Sequence, residues 1–410
     1  MPDALFSDVC WILRTLREQG YPAYIVGGAV RDILLGRIPE DYDIATTAPP
    51  DTITALFPRT KPVGRAFGTI LVIVEHRPYQ ITTLQSRDGS FTESMEKDIL
   101  RRDFTVNALF WNPIEDRMID IVGGMRDLKR RILRPVTTAE KIYRNDPVRM
   151  LRAFRIAPAL GFSLDPSLGS ATRTLRGEIQ RVAPERIHAE LVKILSLPHV
   201  LAALCPLVTT RLLFEIIPEL WPLRHLKQSP FHDFSALSHT FRVLNAAEGL
   251  LETPLFRPIL STTGKHVLMM AALLHDIGKP ETHSMKNGAN HFYGHEKTGA
   301  ALARDILRRL RFPRKDATLI TNLVARHLYP LHLFRHYRDH TLTRRAVERF
   351  LRKTKRYRLP LLLLSSADQL AKRRRSTGNL DDTWISFLNL LLSKNGQKPG
   401  NKTDVAQPSS

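Results

Sequence analysis

Residues 24–46 read YIVGGAVRDILLGRIPEDYDIAT, and no other stretch restricts the fold of this chain so tightly. Tyr24-Ile25-Val26 is a short apolar run and predicts a buried strand. Gly27 and Gly28 follow at once. Two glycines let the backbone turn sharply and approach a ligand with no Cβ in the way. Ala29–Gly36 predicts one helix, with Val30, Ile33 and Leu34 on one face and Gly36 at its end. A glycine turn opening a helix presents free N–H groups to an anion, and Arg31, one turn in, adds a charged fork for a phosphate. Asp41-Tyr42-Asp43 then precede apolar Ile44. On a strand, residues i and i+2 share a face, so Asp41 and Asp43 aim at one Mg²⁺, a hard ion that wants oxygen ligands. Taken alone, a GG-x-x-R turn or a D-x-D strand end is ordinary structure. In this order they form a phosphate cradle followed by a metal clamp.

A second cluster is RRDFTVNAL, residues 101–109, where two arginines and an aspartate precede an apolar strand or helix start. Arg102 suits a triphosphate and Asp103 suits a ribose hydroxyl. By itself the motif also describes a surface ion pair beside a core segment. From Ala139 the pattern becomes helical, and Asp146, Arg149, Arg152 and Arg155 recur at steps of three, which predicts one helical face. A carboxylate beside a guanidinium reads the Watson–Crick edge of a base: Asp accepts from an exocyclic amine and Arg donates to ring or carbonyl acceptors. Cytosine and adenine both carry such an amine where uracil and guanine carry a carbonyl, so one site of this kind accepts CTP and ATP and rejects UTP and GTP. A helix with i,i+3 salt bridges is the ordinary reading of D-x-x-R alone.

Together, GGAVRDILLGRIPEDYDIAT, RRDFTVNA and DPVR resemble the motifs of the class II tRNA nucleotidyltransferase and bacterial poly(A) polymerase family, enzymes that extend RNA 3′ ends without a template strand. The resemblance implies an α/β polymerase-β-like nucleotidyltransferase head over residues 1–135. It implies an all-α neck over 136–228 that selects the nucleotide and binds RNA, and an all-α HD domain over 229–393. Asp41 and Asp43 are then catalytic and hold Mg²⁺. Gly27, Gly28, Arg31, Arg102, Asp103, Asn107, Asp146, Arg149, Arg152 and Arg155 bind the nucleotide. The implied activity is addition of C and A to the 3′ end of tRNA from CTP and ATP. Ile119–Gly124 resembles a D-x-x-G-G turn, and Glu185 and Arg186 resemble the residues that brace the nucleotide-reading helix.

The chain departs from the family pattern at three places. Gln80 stands where the family carries a glutamate, a candidate third metal ligand. Asn145 replaces the glutamate of E-D-x-x-R. The polar loop Ser86–Asp98 is shorter than in relatives that build a complete CCA end, a shortening associated with addition of the two C residues only. A CC-adding enzyme is therefore one alternative. A poly(A) polymerase is another, although the chain lacks the extra basic segments expected of one.

A second chemical array lies beyond Ser229. His239 sits in an S-H-T-F-R-V-L helix, and Ala271–Pro280 is an apolar helix ending in His275-Asp276 and then Gly278. His295, His327 and Asp368 follow. The order H…HD…H…H…D resembles an HD-type metal phosphohydrolase. The resemblance implies one metal on His239, His275, Asp276 and Asp368, with His295 and His327 completing a second site. Imidazole with carboxylate suits Mn, Ni, Co or Fe. It also implies phosphohydrolase or phosphodiesterase chemistry as the main or a second activity, and leaves open a homodimer through the HD domain.

A net charge of +21 and a pI near 10.3 point to a polyanionic partner, nucleic acid before membrane. No apolar run approaches the length of a membrane span. Cys10 and Cys205 lie outside any C-x-x-C and read as buried thiols of a reducing compartment, so a cytoplasmic protein is expected. Asp8–Glu18 and Pro50–Phe57 predict helices. Thr69–Val74 and Ile81–Leu84 predict paired strands with His76–Tyr79 as the turn. The basic runs 304–314, 344–358 and 372–375 are solvated helix faces or phosphate contacts along a tRNA, and 394–410 reads as a disordered tail.

Overall fold

Helix α1 (Ala4–Glu18) starts earlier than its apolar face demands and buries Val9, Ile12, Leu13 and Leu16. The strands that follow are β1 (Ala23–Val26), β2 (Asp43–Thr46), β3 (Thr60–Gly64), β4 (Thr69–Val74), β5 (Arg77–Thr83), β6 (Phe110–Asn112) and β7 (Arg117–Ile119). They form a sheet of order β3-β4-β5-β2-β1-β6-β7, in which β2 and β5 run parallel and every other pair is antiparallel. All of β1 is buried, as the short apolar run predicts. Tyr24 and Val26 pack with Ala45, Leu84, Ile99, Phe110 and Val136 on one face.

This computed structural model describes residues 4–64, 68–86, 89–227, 235–286, 289–372 and 380–393. Outside them lie the tail 394–410, Arg373–Arg375 of the last basic run, residues 65–67, residues 87–88 of the expected Ser86–Asp98 loop, and the first residues of the 229–393 segment. The chain divides into two compact units, Met1–Val182 with Thr209–Leu212, and Ala183–Val208 with Leu213–Ser410.

The helices of the first unit are α2 (Gly28–Leu34), α3 (Pro50–Leu56), α4 (Met95–Arg101), α5 (Gly124–Arg130), α6 (Ala139–Asn145), α7 (Arg149–Leu160) and α8 (Pro166–Leu175). Between α5 and α8, β8 (Ile132–Leu133) pairs with β9 (Ser163–Leu164). The remainder is helical: α9 (Pro184–Ser196), α10 (Leu201–Thr209), α11 (Leu212–Ile216), α12 (Ala236–Leu251), α13 (Lys265–Leu274), α14 (His295–Arg309), α15 (Arg314–Arg326), α16 (Tyr329–Arg338), α17 (Arg344–Thr354), α18 (Arg358–Ala371) and α19 (Asp382–Leu392). One hairpin, β10 (His283–Lys286) with β11 (Ala289–Phe292), interrupts it. No helix among the described residues is long and apolar enough to cross a membrane.

Several local expectations are corrected. The β4–β5 turn is Glu75-His76, at φ 45° and 70°, rather than His76–Tyr79, because Val74 already pairs with Arg77 in a two-residue hairpin. Asp41 is not on the strand. β2 begins at Asp43, opposite Val26, the last residue of β1, so on that side no partner is left for an earlier residue. Asp146 is not on the α7 face either. Pro147 disfavours helical backbone in the residue before it, and Asp146 sits extended at φ −152°, ψ 97° between α6 and α7. Residues 105–107 form a 3₁₀ turn. Cys10 is half-buried and Cys205 exposed, not buried thiols.

Candidate active site and metal centre

The turn after β1 sets the first site. Gly27 has φ 73°, the left-handed region that favours glycine, and it opens α2. A Cβ built on it would stand 3.8 Å from Asp43 Oδ2 and 3.7 Å from Arg102 Nη1, so the missing side chain leaves the space between carboxylate and guanidinium open. Asp43 begins β2 half-buried, with Asp41 two residues earlier and exposed. Burial, then the neighbouring Asp41 charge, push the Asp43 carboxyl above its usual range, against the pull of Arg102 and Arg152. Two oxygen donors that repel one another, beside an open cradle, fit a divalent cation of the magnesium type. Across the parallel pair Asp43 faces Gln80 in register, so the neighbouring strand supplies an amide there.

A chain of polar contacts backs this edge. Arg31 is gripped by its neighbour Asp32, with Nε to Oδ1 at 2.9 Å, and donates through Nη1 to Asn107 Oδ1 at 2.7 Å. Asn107 Nδ2 donates to Asp103 Oδ1 at 3.1 Å, and Asp103 Oδ2 accepts from Arg152 Nε at 2.8 Å and Nη2 at 2.7 Å. Burial pushes the Asp103 carboxyl up, but Arg152 and Arg149 outweigh it and hold the carboxyl at about 2. Arg102 donates from Nε to Asp98 Oδ2 at 3.0 Å and lies over the Phe110 ring at 4.7 Å. Arg149 donates to the Arg101 carbonyl at 2.8 Å, and its Nε is 4.0 Å from Asp146 Oδ2. Arg155, one turn beyond Arg152 on α7, is half-buried.

The structure thus brings Gly27, Asp43 and Arg102 together, and Arg31, Asn107, Asp103 and Arg152 into one chain. Asp98, buried at 2 % exposure, was missed from sequence. Its signal is the i,i+4 spacing to Arg102. Asp120 caps α5 by accepting from the Gly124 and Met125 amides at 2.7 and 2.9 Å, the structural turn that D-x-x-G-G implied. Glu185 lies in the second unit, where it pairs with Arg311 at 3.4 Å.

The second unit gathers the His/Asp array. His239 comes from α12, His275 and Asp276 from the end of α13, His295 opens α14, His327 ends α15, and Asp368 lies in α18. His275, His295 and His327 each place Nδ1 on a backbone carbonyl, of Ala272, Phe292 and Val324, at 2.8, 2.7 and 2.8 Å. That fixes the tautomer and turns each Nε2 lone pair inward, the usual outer shell of a metal-binding histidine. His275 Nε2 is buried and 3.2 Å from Asp276 Oδ2, yet no group meets it with hydrogen-bond geometry. His295 and His327 face each other Nε2 to Nε2 at 3.3 Å. Burial, then the His275 charge, push His327 down to about 3.

Two groups result: His239, His275 and Asp368, and Asp276, His295 and His327. The sequence put Asp276 wholly with the first. In the structure its Oδ2 is 3.8 Å from His239 and 3.2 Å from His275, while Oδ1 is 3.3 Å from His295 and 3.9 Å from His327, so one carboxylate borders both. Lys279 and Lys372 lie against it and against Asp368, at 2.6 and 2.8 Å. Inward lone pairs and an orphaned buried nitrogen fit divalent metal.

A mixed sheet presenting paired carboxylates beside a glycine turn, followed by a helical region with an HD array, defines a nucleotidyltransferase head joined to an HD-type domain. Residues 23–134 match the poly A polymerase head domain and residues 236–372 the HD domain. Residues 161–224 match a family described as "Probable RNA and SrmB- binding site of polymerase A". The chain thus carries a head and an HD domain similar to those of tRNA nucleotidyltransferases and poly(A) polymerases. It is 40 % identical over 225 residues to a CCA-adding enzyme of Anoxybacillus flavithermus, covering 52 % of this chain and 56 % of that protein. It is 39 % identical over 218 residues to one of Geobacillus stearothermophilus, covering 50 % and 54 %. The chain thus spans about half the length of the curated relatives it matches. Among solved structures, the Bacillus stearothermophilus CCA-adding enzyme in complex with CTP superposes with a TM-score of 0.61 at 26 % identity, over 95 % of this chain and 82 % of that one. The Thermotoga maritima CCA-adding enzyme complexed with tRNA-CCA shares the fold, with a TM-score of 0.65 at 20 % identity over 95 % and 83 %.

Proposed function

We propose that this protein is a template-independent nucleotidyltransferase that adds C and A to the 3′ end of tRNA, using CTP and ATP with Mg²⁺. The observation that carries the reading is the Gly27 cradle, with Asp43 on one side and Arg102 on the other. The RNA 3′-hydroxyl attacks the α-phosphorus in line; its new P–O bond replaces the bond to the β-phosphate oxygen, and pyrophosphate leaves. Asp41 and Asp43 would hold magnesium, which would supply Lewis-acid stabilisation of the charge that develops in the transfer. The Gly27-Gly28 backbone and Arg31 bind phosphate, and Arg102, set by Asp98, holds the triphosphate. Asp103 has both oxygens engaged, so its role moves from ribose acceptor to positioning Arg152. Asp146 and Arg149 read the base, with Arg155 nearby.

In this reading residues 1–135 are catalytic, 136–228 select the nucleotide and 229–393 form the HD domain, and the protein works with its tRNA in the cytoplasm. A CC-adding variant is favoured by one observation. The short loop after β5 folds back on itself, with Ser86 N donating to Ser90 O and Thr92 N to Leu84 O at 2.8 and 2.9 Å. HD phosphodiesterase chemistry is a second activity, supported by the inward Nε2 set of His275, His295 and His327; it would trim ends that the head then extends.

A gel extension assay tests the reading. Labelled tRNAs ending at the discriminator base, after one C and after two Cs receive CTP, ATP or both with Mg²⁺. Full CCA on all three is expected. A stop after two Cs identifies the CC-adding variant, an A ladder on any RNA a poly(A) polymerase, and no extension removes the transferase reading.

A further inference from the structure

Helices α14 and α15 are joined by a short turn, and a depression of about 570 Å³ opens on the surface there. Four arginines line it: Arg304 and Arg308 from α14, Arg311 from the turn, and Arg314 as the first residue of α15. No carboxylate lines it, and the buried Phe312 ring forms part of the wall. The charge balance is uneven. Arg308 pairs with Asp305 at 3.0 Å and Arg311 with Glu185 at 3.4 Å, but all four side chains in these pairs are more than half exposed, so the pairs are weak and exchangeable. Arg304 and Arg314 have no carboxylate within ion-pair reach among the described residues. Arg309, on the other side of the same helix, is clamped by both oxygens of Glu219 at 2.7 and 2.9 Å. The fold therefore neutralises the arginine that points away from the depression and leaves a surplus of cation in it. Like charges gathered in a concave surface repel unless an anion bridges them, and planar guanidinium forks match phosphate oxygens.

We propose that the depression lined by Arg304, Arg308, Arg311 and Arg314 is a seat for the phosphodiester backbone of the RNA acceptor. The proposal rests on the reading that this protein acts on RNA. A repeating backbone, rather than a single nucleotide, suits it, because its cations are spread over two helices and the turn, its one ring, Phe312, is buried, and no carboxylate is there to help hold a base.

The test uses the full chain and tRNA lacking its terminal CCA, by filter binding over a KCl series and by CTP incorporation. Arg304→Ala/Arg314→Ala is compared with Arg352→Ala/Lys353→Ala, which removes the same charge from the exposed face of α17. The first variant should weaken tRNA binding about tenfold or more and make the salt dependence shallower by about two phosphate contacts. Its KM for CTP and its thermal unfolding should match wild type, and Arg304→Lys/Arg314→Lys should retain most of the affinity. Wild-type affinity in the alanine pair, or an equal loss in both pairs, overturns the seat and leaves only a diffuse basic field. Labelled ATP retained by wild type and lost from the first variant, with tRNA binding intact, makes it a site for a free triphosphate and also overturns it. Wild type that binds no tRNA removes both readings; tRNA bound through these arginines without nucleotide addition keeps the seat and removes the transferase.

Discussion

At the scale of single residues, Asp43, Gln80 and Asp103 carry separable consequences. Asp43→Asn should lower the rate of CTP incorporation by about a thousandfold or more, because it removes half of the oxygen clamp. It should not lower thermal stability, since the carboxyl it replaces is held above its usual range by burial and by Asp41. Single-turnover kinetics and calorimetry on one preparation check both halves. Gln80→Glu places a third carboxylate in register with Asp43, so the Mg²⁺ concentration for half-maximal extension should fall about threefold or more in a titration. Asp103 works in the opposite direction to Asp43. Its folded value near 2 lies below the ordinary 3.8, so its stabilisation is complete above that ordinary value and is lost as pH falls through about 2. Asp103→Asn should remove about 2 kcal/mol at neutral pH and flatten acid unfolding between pH 4 and 2 in a denaturation series. Most of these residues were legible in the sequence, because G-G, D-x-D and R-R-D are local motifs. Asp98 and Asp32 were not, since each acts by aiming an arginine: the i,i+4 pair of Asp98 with Arg102 is ordinary on any helix, and the i,i+1 spacing of Arg31 and Asp32 predicts no pair at all.

Among elements, the sequence reading succeeded where one pattern filled one element and failed where elements meet. β1 and α2 followed from the order of their residues; the apolar helix at His275 did too, but it runs Lys265–Leu274 and ends before His275 rather than reaching Pro280. The break between α6 and α7 was hidden, although Pro147 marks it, because the i+3 recurrence of Asp146 with three arginines looked continuous. The break has a use: Asp146 approaches Arg149 from outside the helix while Arg149 is anchored on the Arg101 carbonyl. The loop after β5 invites the clearest test at this scale. Its Ser86–Ser90 and Leu84–Thr92 rungs hold it closed, so a longer, family-type basic segment in place of residues 86–94 frees it. If the protein adds only C, the lengthened variant should gain A addition on a tRNA ending in CC. No gain there assigns the restriction to another element.

For the whole molecule, the two chemical sites lie in separate compact units and draw on different donor sets, oxygen alone in one and imidazole with carboxylate in the other. Treatment with 1,10-phenanthroline should therefore abolish hydrolysis of a 2′,3′-cyclic nucleotide while Mg²⁺-supported extension of tRNA continues. Loss of both together would mean that the units share a metal requirement. The surplus positive charge and its run at 304–314 were plain from the sequence, but which of these arginines is neutralised was not, because Arg309 and Arg304 look alike in sequence and only Glu219 distinguishes them. The two lysines beside the HD array have a longer reach. Lys279 on Asp276 and Lys372 on Asp368 set a cation of the chain's own beside each buried carboxylate. An ion that binds there meets less negative charge than the two carboxylates alone would offer, so its hold depends more on the imidazoles than on charge.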